Sequence, residues 1–357
     1  MTSSVRTSPT ITPVLSTLLK VVSPYPNAVT LPPTFDGEGF YNIANRHYLC
    51  ALVNARLGSA ANMMFYEVGL QEILELFRTA EIPLVAYKGI PLARTLYGDA
   101  ALRPSGDIDV MVRPADLERT RYLLEQHGWH FQRAWEIHHN FAKEIWGKEV
   151  TLEVHWVSQR EGEYHLPPER FWEEIRATAN GWEFSPEMNL LIITLHCARH
   201  SFTPYRQVVD IAHAVAQWGG TLNWQRLMDL AMEANALHIV AIVMAVVHRD
   251  LGVPLPDHPL LRRLMQSRRV RLALRYLSPR RLLDKPMFSA LDRYIVPAIT
   301  GAWGPARLVF HDLLPPPELI QYRYGIPANS PWVPFYIIGR PFELLIKNIR
   351  KQFRNDS

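Results

Sequence analysis

Hydrophobic spacing changes three times along the chain. From Tyr41 to Ala80 apolar residues recur at helical intervals, and Met64, Val68, Leu70, Ile73, Leu74 and Phe77 make one broad stripe. Glu81-Ile82-Pro83 ends that helix. Leu84 to Tyr87 then read as a short strand, and Lys88-Gly89 leads into a second helix with Pro91 near its first turn, where a missing N–H costs nothing. The period next falls to two, with Ile108, Val110 and Val112 on one side of a strand and Asp107 and Asp109 on the other. Arg113-Pro114-Ala115-Asp116 turns into a helix that stops near His127-Gly128, where glycine supplies a left-handed cap. Trp129 to Arg133, Ile137 to Ile145 and Glu149 to Val157 read as strands, the last two a hairpin around Gly147-Lys148. From Ser185-Pro186-Glu187, a helix-start signature, the pattern is helical.

The predicted fold class is α+β: a small mixed sheet with flanking helices and a C-terminal helical domain. Residues 1–40 are rich in Ser, Thr and Pro and read as a flexible arm whose apolar patch, Val14 to Val22, docks on the body. Residues 41–180 carry the sheet, and 181–357 form the helical domain and C-terminal segment.

Composition adds three constraints. At 357 residues the chain can bury a large core. Its formal net charge of +4 permits an anionic substrate without demanding nucleic acid. Cys50 and Cys197 are the two cysteines, so no disulfide framework is indicated and a reducing cytoplasm is the expected location. No apolar run has the length of a transmembrane segment, and the start lacks a signal-type apolar core.

Candidate chemistry concentrates in the strands. Asp107 and Asp109 share a strand face, and in Val150-Thr151-Leu152-Glu153-Val154-His155-Trp156 the residues Thr151, Glu153 and His155 share another. Neighbouring strands would bring the three acids together. Three close carboxylates repel unless a cation such as Mg²⁺ or Mn²⁺ compensates. On that reading the metal-free fold carries an electrostatic cost, which Asp109→Asn is expected to relieve.

The segment "LVAYKGIPLARTLYGDAALRPSGDIDVMV", followed by "TLEVHW", resembles the nucleotidyltransferase superfamily typified by DNA polymerase β, and within it a bacterial group of nucleotidyltransferase family proteins. The matched segment covers roughly residues 60 to 157. The resemblance makes 41–180 a catalytic domain. It implies that Gly89 opens a helix facing a triphosphate, that Asp107 and Asp109 hold two metals, and that Glu153 completes the metal and catalytic set. The implied reaction moves a nucleoside monophosphate from an NTP, such as ATP, to an acceptor hydroxyl. The acceptor is left open between a small molecule, a peptide, a protein side chain and an RNA end. The alternatives are a catalytically silent binding or regulatory protein on the same fold, and an RNA-modifying nucleotidyltransferase, to which the arginine-rich helices point.

Two features depart from the superfamily. Gly-Ser is usual where this chain has Gly89-Ile90, so a phosphate-binding hydroxyl is missing. Gly89 and Asp107 are 18 positions apart, longer than in compact members. Lys88 is either a substitute point charge or a solvated strand end. Arg103 is expected to pair with a phosphate or an active-site acid, because a buried guanidinium needs a partner. His155 is expected to orient Glu153 or to pack as a strand histidine. His138 and His139 lie on the facing hairpin arm, where one faces the site or both pack.

In the helical part His196 and His200 stand at metal-pair spacing without a glutamate between them, which disfavours zinc. Together with Arg199 and Arg206 they read either as a polar wall binding the nucleotide, with Asp210 pairing Arg206, or as a structural salt-bridged helix. Arg262, Arg263, Arg268, Arg269, Arg271, Arg275, Arg280 and Arg281 form a basic surface suited to solvent, RNA or anionic lipid. Trp332 to Phe353, with Lys347, Arg350, Lys351 and Arg354, either packs on the helices or meets a membrane surface.

Overall fold

The computed structural model describes residues 64–135, 137–145, 148–158, 166–178 and 181–284, with shorter stretches at 18–19, 22–24, 43–47, 49, 52, 326–327, 329–339 and 343. Helix α1 (Met64–Thr79) lies against a seven-stranded mixed sheet made of β1 (Leu84–Ala86), β2 (Ile108–Val112), β3 (His130–Ala134), β4 (His138–Ile145), β5 (Lys148–His155), β6 (Ile175–Thr178) and β7 (Gly181–Phe184). The strand order is β3-β4-β5-β2-β1-β7-β6. β2 runs parallel to β5 and β1 parallel to β7, and the remaining pairs are antiparallel.

Strand alternation decides what each face holds. Ile108, Val110 and Val112 of β2 join Val150, Leu152 and Val154 of β5 in a core with Leu70, Ile73 and Phe77 of α1. This is the stripe the helical spacing predicts, with Val68 and Leu74 partly buried at its edge. Gly69 lets α1 come close: a Cβ there would lie 3.0 Å from the Ile108 side chain. The opposite face continues into the helices. Val85, Tyr87 and Met111 share one core with α5 (Pro186–Arg199), α6 (Arg206–Trp218), α7 (Trp224–Glu233) and α8 (Leu237–Leu251) once α2 (Gly89–Tyr97), α3 (Leu117–Gln126) and α4 (Pro168–Glu173) are counted in chain order. α8 is buried on all sides from Ile239 to Val247, as its apolar sequence requires. Ser185 caps α5 as predicted, its Oγ accepting from Met188 N at 3.2 Å.

Two elements have no counterpart in the sequence reading. β6 and β7 form a short edge hairpin, and β7 extends the sheet to Phe184, past residue 180. Both strands are short and half polar, which hides their alternation.

Of the N-terminal patch, Leu18, Leu19 and Val22 are buried in the helical core. The rest of 1–40 lies outside the described residues, apart from Ser23 and Pro24. Three further helices follow: α9 (Pro259–Met265), α10 (Arg268–Tyr276) and α11 (Pro279–Asp284). On α9 and α10 the side chains of Arg262, Arg263, Arg268, Arg269, Arg271 and Arg275 are exposed. Trp332, Phe335 and Ile338 are also exposed, whereas Lys347, Arg350, Lys351 and Arg354 lie outside the described residues. Among the described residues no helix is long and apolar enough to cross a membrane.

Candidate active site

The sheet register brings the acids together. Asp109 is paired with Glu153 across the parallel β2–β5 ladder, and Glu153 is paired with Asn140 across β4–β5. One step along, Met111 is opposite His155 and His155 opposite His138. Asp107 sits in the loop immediately before β2. All these polar residues occupy the sheet face that the helices approach.

The turn after β1 closes over them. Tyr87 N donates to Asp109 O at 3.2 Å, fixing the start of the turn to β2. Lys88 then adopts φ 55° and Gly89 φ 32°, a backbone shape uncommon for a lysine. The turn aims the Lys88 ammonium at Asp109, with Nζ 3.3 Å from Oδ1. It also opens α2 beside the acids: a Cβ on Gly89 would lie 3.5 Å from Asp107 O and 3.7 Å from Ser105 Oγ. Lys88 therefore faces an acid and is not a solvated strand end.

The three carboxylates are in unequal environments. Asp107 is raised from 3.8 to about 6, first by burial and then by the charges of Asp109 and Glu153; the hydrogen bond from Ser105 Oγ, 2.9 Å, and the charge of Lys88 only soften the effect. For Asp109 burial also works against ionisation. Lys88 and a 3.1 Å hydrogen bond with His155 Nε2 outweigh it, and the carboxyl is held below its ordinary range. Glu153 is likewise lowered: burial opposes charge, but His155 Nε2 at 3.3 Å and the His138 ring prevail. The expected repulsion therefore falls on Asp107. Asp109 is ion-paired with Lys88 and hydrogen-bonded to His155 without metal, so Asp109→Asn is now expected to cost stability instead of relieving strain.

His138 faces the acids, while His139 packs edge-on against Phe131 and Trp156. His138 Nε2 is 3.5 Å from Glu153 Oε1 but poorly oriented, and among the described residues neither ring nitrogen has a hydrogen-bond partner. Burial, then the neighbouring His155, pushes His138 down to about 4. His155 takes the orienting role foreseen for it, bridging Asp109 and Glu153.

The α5 residues lie within electrostatic reach of the Lys88 turn, and one pairing differs from the expected one. His196 is pushed well below its ordinary value by burial, then by the charges of Lys88, His200, Arg199 and Arg103. The His196 and His200 rings lie against each other at a tilt of 49°, with centroids 4.4 Å apart. The Arg199 guanidinium makes no hydrogen bond or ion pair among the described residues, and its Nη1 is buried. Its charge lowers the Tyr87 hydroxyl, which burial and then Asp109 and Glu153 raise well above 10. The correction concerns Arg103 and Asp210. Arg103 grips Asp210 through two bonds of 2.9 Å and donates to Gly89 O at 3.3 Å. Tyr97 Oη adds a third contact to Asp210 at 2.9 Å. Arg206 instead donates to Pro104 O. Arg103 thus pairs with an acid on α6, not with Asp107, Asp109 or Glu153, because its loop packs against that helix.

A divalent cation fits the donor set. The oxygens of Asp107, Asp109 and Glu153 are hard ligands of the kind Mg²⁺ and Mn²⁺ take. Asp107 is raised first by burial and then by the charges of Asp109 and Glu153, and a cation at its carboxylate would offset both.

Some site residues escaped the sequence reading. Ser105 provides, beside Gly89, the hydroxyl absent from position 90, and its place in Arg-Pro-Ser-Gly-Asp was an available signal. Asn140 reaches Glu153 Oε1 at 3.5 Å from the paired strand. Tyr87 follows β1 and precedes Lys88, and among the described residues its buried hydroxyl has no hydrogen-bond partner.

This arrangement, a strand-borne Asp-x-Asp beside a strand-borne Glu under a Lys-Gly helix start, agrees with the comparison of the whole sequence. Residues 34–252 match the model of the family of uncharacterised nucleotidyltransferases, and the chain belongs to that family. No curated protein matches it. Among solved structures, an antigenic nucleotidyltransferase-like protein from Paracoccidioides brasiliensis is similar at 13% identity, over 54% of this chain and 95% of that one, with a TM-score of 0.34.

Proposed function

We propose that the protein is a metal-dependent nucleotidyltransferase that moves a nucleoside monophosphate from an NTP to an acceptor hydroxyl and releases pyrophosphate. The observation that carries this reading is the direct pairing of Asp109 with Glu153 across two parallel strands, with Asp107 two residues away and the Lys88-Gly89 turn above. Asp107, Asp109 and Glu153 would hold Mg²⁺ or Mn²⁺, which neutralises phosphate charge when bound.

The chain's own groups do the rest. Backbone N–H groups of Gly89 and Ile90 at the start of α2 bind phosphate oxygens, because that helix end carries positive dipole and lacks a side-chain cap. Lys88 adds a point charge, and Ser105 a hydroxyl. Arg199, with His196 and His200, receives the outer phosphates from the helical side. Arg103 serves as a positioning residue, fixing the Gly89 carbonyl. The acceptor oxygen bonds to the α-phosphorus, the bond from that phosphorus to the β-bridging oxygen breaks, and the acceptor proton passes to the Glu153 carboxylate, oriented by His155.

The test is a screen of the four NTPs with Mg²⁺ or Mn²⁺ for pyrophosphate release, or for self-labelling from an α-labelled nucleotide. Asp107→Asn, Asp109→Asn and Glu153→Gln should each lower transfer by orders of magnitude, and their combination should add little. A second reading, a nucleotide-binding protein without turnover, draws on the Lys88–Asp109 ion pair, which neutralises one acid without a cation. Tight NTP binding with no pyrophosphate from any acceptor pool would favour it.

A further inference from the structure

We propose that His138, Glu153 and His155 form a nitrogen-bearing cation site that takes Zn²⁺ or Co²⁺ in preference to Mg²⁺. The inference deepens the reading above, since Glu153 belongs to both groups, but its binding test does not need turnover.

The geometry is that of a preformed ligand set. One ligand atom from each of the three residues falls within 4.8 Å of the other two. The Nε2 atoms of His138 and His155 stand 3.5 and 3.3 Å from oxygens of the Glu153 carboxylate. Zinc bonds of about 2.0–2.1 Å in tetrahedral directions put neighbouring ligand atoms roughly 3.4 Å apart. An octahedral Mg²⁺ site with bonds of about 2.0–2.1 Å requires a spacing near 3.0 Å and oxygen donors.

A second observation points the same way. Among the described residues both ring nitrogens of His138 are buried without a hydrogen-bond partner, and Nε2 is the one that faces the Glu153 carboxylate. A buried polar nitrogen without a partner is costly, and a cation bound at His138 Nε2 would satisfy it. The strands make the set rigid: His138 is opposite His155 in the β4–β5 ladder, and the rings lie 4.6 Å apart. Asp107 and Asp109 are not members of the set; Asp109 Oδ1 contacts Lys88 Nζ and, at 3.1 Å, His155 Nε2, a contact that a cation on that nitrogen would replace. The site therefore discriminates between cations along the sheet. Oxygen-loving ions belong at the Asp-x-Asp end, and nitrogen-accepting ions belong at the β4–β5 end.

The experiment is equilibrium dialysis of the EDTA-stripped full chain against Zn²⁺ with a large excess of Mg²⁺, followed by Co²⁺ titration read in the visible absorption. One equivalent of Zn²⁺ is expected to stay bound, and Co²⁺ is expected to give the bands of a four-coordinate nitrogen and oxygen site. His138→Gln should weaken Zn²⁺ by more than about tenfold. His139→Gln, on the other sheet face, should leave binding unchanged. Zinc-edge X-ray absorption of the unsubstituted protein should show two imidazole ligands, a measurement that stands even if His138→Gln fails to fold. Equal competition by Mg²⁺, an all-oxygen ligand shell, or binding abolished by His196→Gln but kept in His138→Gln would overturn the proposal. Asp107→Asn separates the two readings: it should abolish transfer while retaining Zn²⁺. A protein that binds Zn²⁺ through His138 yet never releases pyrophosphate would refute only the transferase reading.

Discussion

Asp107→Asn should make the metal-free protein more stable at neutral pH, although it removes one of the proposed metal ligands. Asp107 is raised from 3.8 to about 6 in the fold, so between pH 4 and 6 the folded chain binds more protons than the unfolded one. Stability contributed by this group therefore falls as pH rises through that window, and the loss is complete above pH 6. About two pKa units correspond to a cost of about 3 kcal/mol at pH 7. His138 opposes it. With its value lowered from 6.5 to about 4, the unfolded chain binds the extra proton between pH 4 and 6.5, and stability rises with pH there. The two slopes nearly cancel in the wild type, so its own pH profile is uninformative and the difference between variant and wild type is the quantity to measure. Asparagine keeps an oxygen to accept from Ser105 and removes the charge. The difference should be near zero at pH 4 and climb to roughly 3 kcal/mol by pH 7, or about 5 °C in Tm. Calorimetric or fluorescence melts in EDTA across pH 4 to 8 measure it. A variant less stable than wild type at pH 7.5, or a difference that does not depend on pH, would show that Asp107 is a structural acceptor and that the acids do not strain one another.

Other substitutions should separate site from scaffold. Asp109→Asn should destabilise the metal-free protein by about 1–3 kcal/mol, since Lys88 and His155 lose a charged acceptor; an unchanged denaturation midpoint would refute that. Asp210→Asn should cost about 3–5 kcal/mol by stranding the Arg103 guanidinium, read by denaturant unfolding. Gly89→Ala should cost about 1–2 kcal/mol through its positive φ and weaken NTP binding, which isothermal titration resolves. Arg199→Met should raise the NTP Kd with little change in Tm, because that guanidinium holds no partner to lose.

What the chain discloses before folding depends on how regular the local pattern is. Asp109 and Glu153 lie on strict alternation, so their strands and polar faces follow from period alone, whereas Asp107, read onto the same strand face, falls in the loop just before β2. That β2 and β5 are neighbours does not, since pairing is set by crossovers between distant segments. β6 and β7 escaped because edge strands need little apolar alternation. Arg103 was read as needing a partner, which is correct physics; the partner lies 107 positions away on α6, and no local rule reaches that far. Asp210 was assigned to Arg206 by helical spacing, and a buried bidentate pair outweighs such a surface-type contact. Ser105 was overlooked because its value arises only when Gly89 is brought beside it.

The Arg103–Asp210 clamp also bears on descent. Arg103 opens the loop that carries Pro104, Ser105 and Asp107, while Asp210 belongs to the helical side. A relative that lost one charge would keep the other buried and uncompensated, so viable histories exchange the pair together, most simply for two apolar residues of similar bulk. Chimeras that graft the helical half of one relative onto the sheet half of another should work only when both positions come from the same parent, which ties the inheritance of the acid loop to that of α6.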